Sequence, residues 1–248
     1  MSGHSHWSKI KRKKGTTDAR RGRLWSKLAR NVIVAAKAGG GKPEDNLTLR
    51  YAIEKAKAAN MPRDTIENAI KKGTGELGAV SYETVFYEGY AAGGVAVLCE
   101  ALTDNRNRTA PEVRKIFERA GAKMGAAGSV QHLFHPKGQI SIAASIDEDT
   151  VAGIALEAGA DDYVKVGDTW EITCDPATFE PLRAALGKAG IEMQSAELTR
   201  LPATTVPIDA DTGRKVLNLI EALEDQEDIQ NVFTNFEMPD EVMASMSE

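Results

Sequence analysis

The segment over residues 138–201 constrains the fold more than any other part of the chain. Its apolar residues follow strand and helix periodicities in the order strand, helix, strand, strand, helix, strand. A hairpin is predicted across Gly167 and Asp168, because these residue types favour tight turns between strands. This order of elements predicts a ferredoxin-like split β-α-β domain over residues 137–202.

The segments on either side of this domain are predicted to form a second α/β domain. Residues 76–136 indicate two strands, a helix and a third strand at 129–134, and they lack a final helix and strand. The pattern of residues 203–240 predicts the missing helix and strand. Residues 241–248 are predicted to form a tail. We therefore predict an α+β protein in which one ferredoxin-like domain is inserted in another, since domain termini often lie close together.

Residues 1–75 are predicted to form a third domain, a three-helix bundle with a basic surface. Its first helix runs from Asp18 to the glycines at 39–41, with an apolar face and a roughly opposite face of cations. A basic arm precedes this helix. The cations predicted to contact the phosphates of nucleic acid are Lys9, Lys11, Arg12, Lys13, Lys14, Arg20, Arg21, Arg23, Lys27, Arg30 and Lys37. The alternative is a solvated helix face, because Lys and Arg are usually exposed.

The charge of the chain is divided between its beginning and its remainder. Residues 1–75 hold 18 Lys and Arg against 6 Asp and Glu, a net charge of +12. The remainder holds 13 against 30, a net charge of −17, so the whole chain carries −5. This division predicts a basic module that meets a polyanion and an acidic body that stays away from it.

The glycine-rich segment 73–78 matches the pattern of a dinucleotide-binding loop. Such a site requires a strand before the glycines and a helix after them. Here a predicted helix precedes the segment and a predicted strand follows it. We therefore interpret it as the end of a helix followed by a linker, at the first domain boundary.

A polar segment, Asp104-Asn105-Arg106-Asn107-Arg108, lies between a predicted strand and a predicted helix. The helix is predicted to begin at Thr109, which with Glu112 forms a capping-box pattern. Arg and Asn side chains at a helix N-terminus can contact phosphates or bases. Asn and Asp side chains can also simply bond the local backbone. The segment is thus a possible functional loop, with both interpretations open.

The sequence contains no pattern typical of an active site, and we predict no catalytic residue and no enzyme activity. Its histidines lack ligands at metal spacing, so no metal or other cofactor is predicted. No run approaches the roughly 18 apolar residues of a membrane span, and no secretory signal is recognised, so we expect a cytoplasmic protein without a membrane partner. No small-molecule substrate is indicated. The acidic residues expected to form a solvated face are Glu221, Glu224, Asp225, Glu227 and Asp228.

Several blocks of the sequence, in order along essentially the whole chain, resemble the YebC family. These blocks are Gly3-His4-Ser5-His6-Trp7 with Lys9-Ile10-Lys11, Lys37-Ala38-Gly39-Gly40-Gly41, Asn60-Met61-Pro62-Arg63-Asp64, Tyr87-Glu88-Gly89-Tyr90, Leu102-Thr103-Asp104-Asn105-Arg106-Asn107-Arg108-Thr109 and Gly128-Ser129-Val130. His6 stands where Lys is more usual in that family. The resemblance implies an N-terminal helical domain followed by two α/β domains, and it brings no known catalytic residues.

The resemblance also implies a function. The family comprises probable transcriptional regulatory proteins that bind DNA, and it is related to mitochondrial translational activators of cytochrome oxidase. Together with the charge pattern, it predicts a cytoplasmic DNA-binding transcriptional regulator. The alternative is a ribosome-associated translation factor that binds ribosomal RNA through the same basic surface, as bacterial members of the family imply. The sequence does not specify the oligomeric state.

Overall fold

The computed structural model describes residues 18–78 and 81–238, with side chains described from residue 21 onward. The described α-helices are α1 Asp18–Gly39, α2 Leu47–Ala58, α3 Arg63–Gly73, α4 Arg106–Arg119, α5 Glu148–Ala158, α6 Phe179–Lys188 and α7 Ala210–Asp225. The described strands are β1 Glu83–Tyr90, β2 Ala96–Thr103, β3 Lys123–Met124, β4 Phe134–Ala143, β5 Ala160–Val166, β6 Thr169–Cys174, β7 Met193–Pro202, β8 Val206–Pro207, β9 Ile229–Thr234 and β10 Phe236–Glu237. The predicted α+β class, with an N-terminal helical region followed by sheet-containing parts, is confirmed.

The described residues fall into two compact units. Residues 132–203 form one unit, and the described residues before and after that segment together form the other. The predicted inserted domain, residues 137–202, lies within the first of these. The helical bundle and the sheet that follows it in the chain share the larger unit.

Helices α1, α2 and α3 pack around a small core that includes Val32, Leu49 and Ile66. Asn46 fixes the turn between α1 and α2. Its side-chain oxygen accepts the N–H of Leu49 at 3.0 Å, which caps α2, and its amide nitrogen donates to the carbonyls of Ala35 and Gly40. This one side chain therefore satisfies backbone groups at the end of one helix and at the start of the next.

Gly73 ends α3 in direct contact with α1. A Cβ atom at this position would lie 2.5 Å from the carbonyl oxygen of Ile33 and 2.7 Å from the Cβ atom of Ala36. Because neither neighbour is the end of a flexible side chain, a larger residue would push the two helices apart. The segment 73–78 thus follows a helix and precedes β1, the opposite of the order in a dinucleotide-binding loop, as predicted.

The larger unit contains a four-stranded antiparallel sheet in the order β3-β1-β2-β9. Its core includes Val97, Cys99 and Phe117 together with Leu219 and Ile220 of α7. The C-terminal segment supplies α7 and β9 to this sheet, as the count of elements predicts. The chain runs through it as β-β-α-β followed by α-β, so its connections differ from the β-α-β-β-α-β order.

The unit over residues 132–203 has the predicted ferredoxin-like arrangement. Its elements follow the order β4-α5-β5-β6-α6-β7, and its antiparallel sheet has the order β5-β6-β4-β7. The β5–β6 hairpin turns at Gly167, whose φ of 54° is in the left-handed region that glycine favours. Ile140, Ile172 and Leu182 are fully buried in this unit.

The prediction of a strand at 129–134 is wrong. The third strand of the larger sheet is instead β3, which pairs with Gly89 and Tyr90 of β1. Residues 125–130 follow as loop and turn, Gln131–Leu133 form a short 3-10 helix, and Phe134 begins the next strand. The apolar side chains of Val130 and Phe134 are buried, but they do not belong to one extended segment.

Glu88 explains why residues 125–131 turn. Its side chain on β1 is buried, with 3% of the residue exposed. One carboxylate oxygen accepts the N–H of Gly128 at 2.6 Å, and the other accepts those of Val130 at 2.7 Å and Gln131 at 2.8 Å. Backbone groups that a strand would pair with a neighbour are therefore satisfied by one side chain. This contact also joins two of the blocks that carry the family resemblance.

Replacing Glu88 with Gln is expected to destabilise the larger unit by about 2 kcal/mol, since the amide has one acceptor oxygen and leaves a buried N–H without a partner. Urea unfolding followed by circular dichroism measures this change. Glu118→Gln, at an exposed position on α4, is the matched control and is expected to change stability by less than about 0.5 kcal/mol. Equal stabilities for the two variants would show that Glu88 does not hold this turn.

Candidate nucleic-acid interface

The structure describes part of the basic surface that the sequence predicts. Lys9, Lys11, Arg12, Lys13 and Lys14 lie outside the described residues, and Arg20 lies on α1 without a described side chain. Arg21 and Lys37 are exposed near the two ends of α1, where Lys37 Nζ donates to the hydroxyl of Ser81 at 3.2 Å. The remaining three cations contact the C-terminal end of α7 and the residues just after it: Arg23, Lys27 and Arg30.

These three contacts follow one side of α1. Arg23 Nη2 lies 3.5 Å from Asp225 Oδ1, and Lys27 Nζ donates to the carbonyl of Glu224. Arg30 donates to the carbonyl of Glu227 and forms an ion pair with Asp228 at 3.0 Å. The sequence predicts these cations on one face of the helix, and the structure shows that this face meets the protein's own acidic segment.

The end of α7 attracts cations for two reasons. The last carbonyls of a helix lack partners within it and carry a partial negative charge. Glu224 and Asp225 add acidic side chains there, and the last turn of α7 contains no basic residue. Arg23 and Lys27 of α1 therefore supply the positive charge that this helix end lacks in its own sequence.

Asp228 lies at the centre of the contact, and its side chain is 3% exposed. It pairs with Arg30, and it accepts hydrogen bonds from Arg108 at 3.0 Å and from the Thr109 hydroxyl at 2.7 Å. Burial alone would raise the pKa of Asp228, but the hydrogen bonds from Thr109 and Arg108 and the charge of Arg30 outweigh burial and lower it. The expectation that Asp228 belongs to a solvated face is therefore wrong.

A chain of hydrogen bonds connects Asp228 to the polar segment 104–108. An ionised carboxylate can only accept, so Thr109 donates to Asp228 and accepts in turn from the Thr103 hydroxyl at 2.7 Å. Thr103 Oγ1 then accepts the N–H of Asn105 at 2.9 Å. The carboxylate therefore fixes the direction of both hydroxyl hydrogen bonds, that of Thr109 and that of Thr103.

The segment 104–108 is largely the first turn of a helix. Asn105 is the N-cap of α4, since its side chain accepts the N–H of Arg108 at 3.2 Å and its φ is −152°. The prediction that the helix begins at Thr109 is wrong, because Thr109 directs its hydroxyl to Asp228 instead. The candidate loop is thus reduced to Asp104 and Asn105, followed by the helical residues Arg106, Asn107 and Arg108.

All three charged side chains in this segment pair within the protein. Arg106 forms an ion pair with Glu83 at 2.9 Å, and Arg108 bridges Asp104 at 2.8 Å and Asp228. Hydrogen bonds to Asp228 and then Asp104 raise the pKa of Arg108. Asn107 is exposed on the first turn. The structure therefore brings Arg30 of the predicted basic face and Arg108 of the candidate loop onto one carboxylate.

An open groove of about 530 Å³ lies over this junction. It is lined by Arg30, Arg108 and Tyr82 together with five carboxylates, which lie just before and on α4 and at and just after the end of α7. The Arg30 guanidinium lies 5.8 Å from the centre of the Tyr82 ring, within the range of a cation–π contact. Because acidic groups outnumber the two arginines, the groove itself is not suited to a polyanion.

Sequence reasoning missed Asp228, Thr103 and Thr109 as partners of the predicted site. The block from Leu102 to Thr109 contains two of them, but their role depends on a carboxylate about 120 positions away in the chain. Among residues 18–78 and 81–238, the structure contains no helix with the length and apolar character needed to cross a membrane. The same described residues contain no cluster of three or more His, Cys, Asp or Glu side chains able to hold a metal ion.

Comparison with known proteins agrees with this architecture. The chain matches the model of the TACO1/YebC protein N-terminal domain over residues 5–76. It matches the model of the TACO1/YebC second and third domain over residues 82–236.

Whole-length relatives are also found. A probable transcriptional regulatory protein of Geobacter sulfurreducens is 50% identical over 246 residues, which cover 99% of this chain and all of that protein. One from Rubrobacter xylanophilus is 51% identical over 249 residues, across the full length of both. The crystal structure of a conserved hypothetical protein from Aquifex aeolicus has a TM-score of 0.83 at 47% identity, covering 94% of this chain and 97% of that one. The chain belongs to the TACO1/YebC family.

Proposed function

We propose that the chain is a cytoplasmic regulator of transcription that binds the phosphate backbone of DNA through its basic helical domain. The observation that carries this proposal is the division of charge, +12 over residues 1–75 against −17 over the remainder. A surface of this kind gives affinity for nucleic acid without reading its sequence. The names of the relatives, probable transcriptional regulatory proteins, support a regulatory role.

The described contacts of α1 set three of the eleven predicted cations apart. Arg23, Lys27 and Arg30 contact the end of α7. The other eight include the basic arm and the exposed side chains of Arg21 and Lys37. We assign the main phosphate contacts to these eight. The acidic remainder of the chain then serves as the part that meets other partners.

The second candidate is a translation factor that binds ribosomal RNA through the same eight cations. The face of α1 that bears Arg23, Lys27 and Arg30 rests on α7, which argues against α1 as a helix that reads the major groove. Structured RNA is recognised chiefly by shape and by phosphate and 2′-hydroxyl contacts, so it needs no such helix. The contact between α1 and α7 therefore favours structured RNA as the alternative partner of the same surface.

The two candidate functions are distinguished by whether the tagged protein in cell lysate binds DNA or sediments with ribosomes. Under the first, the protein is retained on DNA and leaves the nucleic-acid fraction when DNA is digested. Under the second, it sediments with ribosomes whether or not DNA has been digested. A protein that stays in the supernatant in both samples would contradict both functions.

A further inference from the structure

We propose that the acidic segment 224–228 competes with nucleic acid for part of the basic face of α1. This inference rests on the proposed function and concerns the regulation of the same surface. In the described structure the segment occupies Arg23, Lys27 and Arg30 in the place of phosphates. The chain thereby restrains its own affinity until nucleic acid displaces the exposed acids of the segment.

The spacing of the three cations suits a phosphate backbone as well as it suits the acidic segment. Arg23, Lys27 and Arg30 are four and three residues apart, so they lie on one side of α1. At 1.5 Å per residue they span about 10 Å. Phosphates along one DNA strand rise about 3.4 Å each, so the same length corresponds to about three phosphates.

The segment offers its negative groups in a matching sequence. The carboxylate of Asp225 meets Arg23, the carbonyl of Glu224 meets Lys27, and Glu227 and Asp228 meet Arg30. Carbonyls at a helix C-terminus and carboxylates are both strong acceptors, like phosphate oxygens. Each cation thus already has the kind of acceptor that nucleic acid would offer it.

The contact is buried at the Arg30 end and exposed at the Arg23 end. The Arg30 and Asp228 side chains are 15% and 3% exposed, and Asp228 is also bound by Arg108 and Thr109. The Arg23 and Asp225 side chains are 36% and 47% exposed, and their charged atoms are 3.5 Å apart. Exposed pairs of this kind contribute little and are screened by salt. A polyanion therefore displaces the outer pair first, while Asp228 keeps the domain contact in place.

The test removes the two exposed acids of the segment, Asp225 and Glu227, and leaves the buried Asp228. We compare the full-length wild type with Asp225→Asn/Glu227→Gln, by fluorescence anisotropy of a labelled DNA duplex and of a labelled RNA duplex. The matched control is Glu157→Gln/Asp168→Asn, which removes the same charge at two exposed positions of the unit over residues 132–203. Circular dichroism confirms that all three proteins are folded.

The proposal is supported if Asp225→Asn/Glu227→Gln binds either duplex about three- to tenfold more tightly than both the wild type and the control, as the release of weak exposed pairs predicts. Binding by the variant alone, without measurable binding by the wild type, supports it as well. Equal affinities for all three proteins overturn the competition and leave the proposed function standing. If no protein binds either duplex, the competition and the proposed function both fall.

Discussion

Binding of the wild type to duplex DNA is expected to weaken by about 10³–10⁵-fold as the salt concentration rises from about 50 to about 200 mM. Each cation that neutralises a phosphate releases condensed counterions, and this release becomes less favourable as salt is added. Six to ten contacts give a loss of this size. Eight of the eleven predicted cations are left when Arg23, Lys27 and Arg30 are set aside, which is within that range.

Added salt also weakens the internal ion pairs of α1. This effect favours binding, but it is smaller than the effect of counterion release. Added salt also screens the exposed pair between Arg23 and Asp225, which makes Arg23 more available. An exposed pair contributes about 0.2–1 kcal/mol, or less than about tenfold in affinity. Counterion release therefore outweighs this screening, and the net effect of added salt is weaker binding of DNA. Affinity that is independent of salt would exclude a phosphate-binding surface.

Replacing Asp228 with Asn is expected to destabilise the larger unit by about 2–4 kcal/mol, because two arginines lose the carboxylate between them. The Thr109 hydroxyl can reverse its hydrogen bond and donate to the carbonyl of Asn105, 3.1 Å away. The guanidinium groups of Arg30 and Arg108 cannot reverse theirs, since they have no acceptor. The cost therefore comes mainly from the arginines. Urea unfolding at neutral pH measures it.

The effect of Asp228→Asn is also expected to depend on pH. The pKa of Asp228 is lower in the folded chain than in the unfolded chain, so its stabilisation is present above the unfolded value of about 3.9. It is lost as the pH falls through the folded value, and the difference between wild type and variant should shrink there. Asp104→Asn, at an exposed partner of Arg108, is the control and should cost less than about 1 kcal/mol. Equal costs for the two variants would contradict a central role for Asp228.

Local patterns in the sequence predict most of the fold. The order of helices and strands over residues 132–203, and the completion of the other sheet by the C-terminal helix and strand, follow from periodicity and turn residues. The predicted strand at 129–134 fails because Glu88, about 40 positions earlier, satisfies the backbone of that segment. Local sequence patterns cannot predict a contact between residues so far apart in the chain.

The same limit applies to the candidate interface. Helical spacing correctly places Arg23, Lys27 and Arg30 on one face of α1, because that face is a property of the helix alone. What the face meets depends on the end of α7, about 200 positions later. Asp228 resembles its acidic neighbours in the sequence, and only its burial beside two arginines separates it from them.

The salt titration tests the central claim most directly when it is run on Lys13→Glu/Lys14→Glu beside a matched control. Lys188→Glu/Lys215→Glu reverses two exposed lysines outside the helical domain and makes the same change in net charge. If the basic arm binds phosphates, the first variant should bind DNA more weakly, with a salt slope lower by about two units, whereas the control should keep nearly the wild-type slope. Equal slopes and affinities for the two variants would contradict the claim that the helical domain binds nucleic acid through these cations.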